Sequence, residues 1–111
     1  MYKLIKPLIF SLNPELAHNI GVLFIKRGIL SLFDSSPDEE LAVRVANIDF
    51  PSPIGLAAGF DKNAEIFHEI FKIGFGFVEA GTVTPKPQYG NPKPRIFRLK
   101  EDLALINRLG F

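Results

Sequence analysis

Ala57, Ala58 and Gly59 set three minimal side chains in a row, and Asp61, Lys62 and Asn63 follow directly after Phe60. Small residues at the carboxyl end of a strand let a flat ligand approach the backbone and take hydrogen bonds from it. A lysine just behind them can offset negative charge that builds up on such a ring. Plainer readings stand beside these: small residues also permit tight strand-to-helix packing, and a single lysine is ordinarily a solvated surface charge. A second set closes the chain, where Asn107 and Arg108 in NRLGF offer an amide and a guanidinium suited to a planar, anionic ring. Arg98, flanked by Phe97 and Leu99, reads either as a snorkelling residue at a core edge or as a donor to a polar head group. His18 falls on a helix with an apolar stripe, where it is a satisfied or exposed histidine or else a ligand. Thr82 at a strand end has the same two readings, and Glu79 in an apolar strand is expected to be buried with a partner.

Other chemistries are excluded. Gly74, Gly76 and Gly81 have the wrong spacing for a dinucleotide fingerprint and follow a helix instead of opening one, so they read as a helix stop and a close approach to the sheet. The chain has no cysteine, and His18 and His68 are too isolated for a zinc motif, so no metal is expected. A net charge of +1 without a basic, aromatic-interleaved run speaks against nucleic acid as a partner. With 47% hydrophobic and 12% aromatic residues over 111 positions, the chain has the apolar content of a globular domain.

The elements that must position these residues are legible in outline. Tyr2, Leu4, Ile5, Leu8, Ile9 and Leu12 predict a short first helix that Pro7 makes irregular. Asn13 and Pro14 make a helix start, and Leu16, Ile20, Leu23 and Phe24 give a second helix, from Pro14 to about Gly28, one apolar stripe. Together these form a helical hairpin. The polar, acidic run from Asp34 to Glu40 is the clearest boundary, placing a module border between residues 36 and 37. Leu41, Val43 and Val45, then Ile48 and Phe50 across Asn47, predict a β-hairpin. A strand over 54–58, a helix over 64–73 and a strand over 77–82 make one strand–helix–strand repeat of the kind that joins parallel strands, so the class is α/β. Four prolines over 84–94 predict a long structured loop, and a further strand pair is expected over 95–99 and 103–109. Charged and polar residues interrupt every apolar run near the amino terminus, which excludes a spanning helix of about 20 apolar residues and a secretory signal.

Taken in order, NPELAH (13–18), PSPIGLAAGFDKN (51–63), GFGFVEAGTVTPKPQYGNPKPRIFRL (74–99) and NRLGF (107–111) resemble the quinone-linked, class 2 dihydroorotate dehydrogenases, flavin enzymes of pyrimidine synthesis. The likeness covers essentially the whole chain. It implies the N-terminal part of a TIM (β/α)8 barrel, residues 37–111, preceded by a short amphipathic helical hairpin, residues 1–36, that serves the membrane and the quinone. Ala58, Gly59, Lys62 and Thr82, with Ala57 beside them, would meet FMN, and Lys62 would also meet the substrate. Asn107, Arg108, Leu109, Gly110 and Phe111 would contact dihydroorotate, while His18 and Arg98 would line the quinone tunnel.

In that family a hydride passes from the substrate to the flavin while a base removes a neighbouring proton, and the electrons then go to a quinone. The base is a serine on a later loop, and none of Ser11, Ser31, Ser35, Ser36 or Ser52 stands in a matching place, so no catalytic residue is expected in this chain. A barrel takes roughly 200 residues or more, so about two of eight strand–helix units would be present and the chain alone would be inactive. The resemblance also implies peripheral attachment to the cytoplasmic face of a bacterial inner membrane. The rival readings are another FMN barrel, of the dihydropyrimidine or dihydrouridine type, and a non-catalytic membrane-associating module.

Overall fold

A computed structural model describes residues 2–33 and 37–111. The chain groups into two compact units, residues 1–21 with 84–111 and residues 22–83. The border expected between 36 and 37 adjoins residues 34–36, a part of the acidic connector that lies outside the described residues.

In the first unit, α1 spans Tyr2–Ser11 with Pro7 inside it, and α2 begins at Pro14. The start of α2 is built as its sequence predicts: Asn13 Oδ1 accepts from the amides of Glu15 at 2.9 Å and Leu16 at 3.4 Å, satisfying two of the donors that a helix start leaves open. The helix runs to Lys26, so its last turns belong to the second unit, and it stops two residues short of the expected Gly28. Strands β5, Ile96–Leu99, and β6, Ala104–Asn107, follow the four strands of the second unit in the chain and pair antiparallel, with Ile96 opposite Asn107.

In the second unit, two 3-10 turns at Ile29–Phe33 and Glu39–Leu41 precede the hairpin, the second capped by Asp38, whose carboxylate accepts from the Glu40 amide. Strands β1, Val43–Val45, and β2, Ile48–Phe50, form the expected hairpin around Ala46 and Asn47, both with positive φ, at 50° and 63°. That is the backbone of a two-residue turn whose twist matches the strands it joins. Strands β3, Gly55–Leu56, and β4, Phe77–Val78, are parallel neighbours joined through helix α3, Phe67–Phe71. The α/β class expected for the chain is therefore the one observed.

The core of this unit is small. Ile66 and Ile70 are 0% and 1% exposed, Ile25 from the end of α2 joins them, and Val22, Leu30, Leu56, Phe60, Ile73, Phe75 and Val78 pack around the three. Fully burying an isoleucine contributes about 1.5–3 kcal/mol, so Ile66 and Ile70 dominate the hold of α3 on the strands. Gly76 is buried because its main chain passes against Ser52, and a Cβ there would run into the Ser52 carbonyl. The close approach at this glycine is to the segment before β3 and not to a strand.

Three local expectations are corrected. The helix predicted over 64–73 is only Phe67–Phe71, because Ala64 takes a φ of 54° and Ile66 a φ of −134° with a ψ of 9°, neither of them helical, in a turn whose Glu65 and Ile66 amides the Asp61 carboxylate holds. The strands predicted over 54–58 and 77–82 pair for two residues each, flanked by bonds from Gly76 N to Ile54 O and Glu79 N to Leu56 O, before Gly59 and Gly81 leave the extended region. Glu79 is exposed and not buried, since it lies past the end of β4.

Candidate functional site

The loop that follows β3 is organised by Asp61. Its side chain is 2% exposed. Oδ1 accepts from the Glu65 amide at 2.8 Å and Oδ2 from the Ile66 amide at 3.1 Å, while its carbonyl accepts from Gly81 N at 3.1 Å. One residue therefore ties the loop after β3 to the loop after β4, and so brings the Ala57–Lys62 stretch into register with Thr82, the residue after Gly81. Ala57, Ala58, Gly59 and Thr82 are exposed and Lys62 is half-buried. Gly59 has a φ of 92° with nothing within 4 Å of where a Cβ would stand, so backbone conformation and not crowding demands glycine there. The loop thus presents exposed, minimal side chains at Ala57, Ala58 and Gly59, with the half-buried Lys62 three residues on.

Beyond the loop, Glu65 accepts from Asn63 Nδ2 at 3.1 Å and from Lys26 Nζ at 2.7 Å. The Lys26 hydrogen bond, then that of Asn63, lowers the Glu65 pKa, and Glu65 in turn raises that of Lys26. Both side chains of this ion pair are largely exposed, so it guides α2's end without contributing much stability.

In the first unit, Asn107 ends β6, and the residues after it are irregular. Arg108 folds back so that Nε and NH2 donate to the Pro94 carbonyl at 3.4 and 3.2 Å, and its guanidinium lies over the Phe97 ring. Leu109 is half-buried, and Gly110 and Phe111 are exposed. Arg98 has a use that neither sequence reading contained: NH1 donates to Leu12 O at 2.6 Å and Phe10 O at 3.2 Å, and NH2 to Ile9 O at 3.3 Å. It caps the carboxyl end of α1, whose last carbonyls have no partner within the helix. His18 is half-buried on α2.

Glu15, one residue into α2, is the acidic centre of this unit. Its carboxylate takes Arg95 NH2 at 2.9 Å and Nε at 3.2 Å, and Lys93 Nζ at 3.2 Å, and the Glu15 and Arg95 side chains are 12% and 14% exposed. The hydrogen bond from Arg95 holds the Glu15 pKa below the usual carboxylate range, helped by Lys93 and opposed by burial. A depressed folded pKa means that the stabilisation is complete above the unfolded value and is lost as pH falls through the folded one. Thermal unfolding should accordingly show a Glu15-dependent loss of stability only below the ordinary carboxylate pKa. A Glu15→Gln variant should lack that part of the acid limb, and an unchanged limb would refute the assignment.

Two serines have structural uses: Ser11 Oγ donates to Leu8 O at 2.7 Å, and the buried Ser52 Oγ accepts from Ile54 N at 3.2 Å. Among the described residues, no three acidic or histidine side chains stand close enough to share a metal ion. Sequence reasoning missed Asp61 as a buried organiser and Glu15 with Arg95 as a pair. Only the Asp-x-x-x-Glu spacing ahead of the first apolar helical residue hinted at the former.

The chain is α/β, with exposed small residues and a half-buried lysine in the loop that leaves its parallel strand pair. The chain belongs to the dihydroorotate dehydrogenase family, whose family model matches residues 40–111. Among curated relatives, it is 54% identical over 111 residues to a dihydroorotate dehydrogenase (quinone) of Azorhizobium caulinodans, covering 100% of this chain and 31% of the relative. It is 58% identical over 103 residues to the protein of the same name from Bartonella tribocorum, covering 93% and 28%. It superposes on the crystal structure of ligand-free type DHODH from Eimeria tenella with a TM-score of 0.82 at 54% identity, covering 89% of this chain and 27% of that one. The complex of the Eimeria tenella enzyme with ferulenol gives a TM-score of 0.78 at 48% identity over 94% of this chain and 29% of that one. The chain thus spans about 31% of the length of a curated relative matched along its whole sequence.

Proposed function

We propose that this chain forms the amino-terminal part of a quinone-linked, FMN-dependent dihydroorotate dehydrogenase, which oxidises dihydroorotate to orotate in pyrimidine synthesis. The observation that carries the reading is the Asp61-organised loop, which presents Ala57, Ala58, Gly59 and Lys62 in register with Thr82, in a chain 54% identical over its full length to proteins of that activity. Ala57, Ala58, Gly59, Lys62 and Thr82 hold FMN, which supplies a two-electron acceptor when bound. Small side chains admit the ring, and the Lys62 ammonium holds negative charge at its edge. Asn107, Arg108, Leu109, Gly110 and Phe111 contact dihydroorotate, as Lys62 also does. Residues 37–111 begin the TIM barrel.

Residues 1–36 form the helical hairpin of the quinone module, with His18 and Arg98 beside the quinone, and rest on the cytoplasmic face of a bacterial inner membrane. Leu4 and Leu8 on α1, 84% and 68% exposed, support an interfacial role. No helix among the described residues is long and apolar enough to cross a membrane.

The flavin assignment is tested in the full-length protein carrying this segment. It should purify yellow, and Lys62→Ala should weaken FMN retention on the order of tenfold, the effect of one charge-assisted hydrogen bond. A colourless unmodified protein refutes the reading. For the membrane, flotation on liposomes should be lost when residues 1–33 are removed, and equal flotation of both forms would sink that part alone.

A further inference from the structure

The segment after β6 has no ladder to hold it, yet it is fixed at several points by the loop before β5. Asn91 N donates to Leu109 O at 2.8 Å, and Asn91 Nδ2 to Arg108 O at 2.7 Å. Arg108 N donates to Arg95 O at 2.9 Å, and the Arg95 guanidinium lies 5.5 Å from the centre of the Phe111 ring. A Cβ at Gly110 would run into the Asn91 side chain, so the two stretches are in close contact. Arg95 is itself held on every nitrogen: NH1 donates to Tyr89 O at 2.6 Å and Asn91 O at 3.3 Å, while NH2 and Nε reach the Glu15 carboxylate.

We propose that Asn91 and Arg95 are positioning residues for the substrate segment Asn107, Arg108, Leu109, Gly110 and Phe111, with Glu15 on α2 fixing Arg95. The role rests on the reading that this segment meets dihydroorotate. Neither residue needs to touch the substrate. Asn91 sets the main chain at Arg108 and Leu109, Arg95 sets Asn91 through its carbonyl, and Glu15 holds the planar guanidinium by its fork, a geometry that lysine cannot reproduce. The first turn of α2, one turn before His18, is thereby joined to the end of β6.

The test uses the full-length protein and its Asn91→Ala and Arg95→Lys variants. Each is titrated with orotate through the change in flavin absorbance and assayed for dihydroorotate oxidation. Loosening the segment removes binding shared by ground and transition states, so orotate affinity should fall roughly tenfold and KM rise to match, with kcat within about twofold and flavin content retained. A Glu15→Gln, Arg95→Lys double variant should lose less than the sum of the two single losses, because the pair acts as a unit. Unchanged orotate affinity in both single variants overturns the proposal. So does a parallel loss of flavin, kcat and melting temperature, which marks a merely structural role. If Arg95→Lys does not fold, Asn91→Ala decides, since it keeps the main-chain bond to Leu109. An unmodified yellow protein that binds no orotate overturns the substrate reading itself, in an arm measured before any variant.

Discussion

Replacing Asp61 by alanine is expected to destabilise the full-length protein by on the order of 3 kcal/mol and to strip it of flavin. The size follows from burial: the carboxylate is 2% exposed and accepts from two main-chain amides, which alanine would leave without a partner in a place that water does not reach. Hydrogen bonds to charged groups contribute more than neutral ones, and abandoned buried donors keep their full desolvation cost. Flavin loss follows because the carboxylate fixes the turn from Asp61 to Ile66, and without it the Asp61 main-chain carbonyl, which alanine keeps, loses the placement from which it accepts from Gly81 N and joins the two halves of the proposed cradle. Asp61→Asn should lie between, since its amide keeps one acceptor. Denaturant midpoints and the flavin-to-protein absorbance ratio report both effects, and an Asp61→Ala protein with normal flavin content would show that the loop is set by other contacts.

The second large effect concerns the 111-residue chain by itself. If the proposed function holds, it should oxidise no measurable dihydroorotate, whereas the full-length protein carrying this segment should. Among the described residues Ser11 and Ser52 are engaged in local hydrogen bonds, and on the proposed reading the serine that removes the substrate's proton belongs to a later loop of the full-length protein. Its hold on structure should also be weak. Three short strand pairs and, among the described residues, three buried apolar side chains are little to set against the ordering of a whole chain, and Val83, Leu103 and Leu105 are 92%, 82% and 66% exposed. Turnover above background by the isolated chain, followed as orotate formation, would overturn this.

What was legible in the sequence was local. Asn13 with Pro14 announced the start of α2, and Asn47 between two alternating runs announced the β1–β2 turn, because in both cases the residues that decide the conformation are neighbours. The parallel strand pair and its connecting helix were legible in kind, from apolar periodicity, but not in length. Helix α3 is short because Ala64, with a φ of 54°, and Ile66, with a φ of −134°, lie outside the helical region in a turn that the Asp61 carboxylate closes, which periodicity does not register. In the proposed site, the small residues and Lys62 stand out by type and spacing alone. The Glu15–Arg95 pair joins residues 80 apart, and nothing near either residue signals the other.

The cap on α1 has a consequence for how the chain is made. Its acceptors are the carbonyls of Ile9, Phe10 and Leu12, but their donor, Arg98, comes 86 to 89 residues later. A helix of 10 residues is marginal without partners, and Pro7 weakens this one further. During synthesis from the amino terminus, α1 therefore leaves the ribosome without its cap and waits for β5, at about 5–20 residues per second a delay of several seconds. Over that interval no guanidinium takes up the carbonyls of Ile9, Phe10 and Leu12.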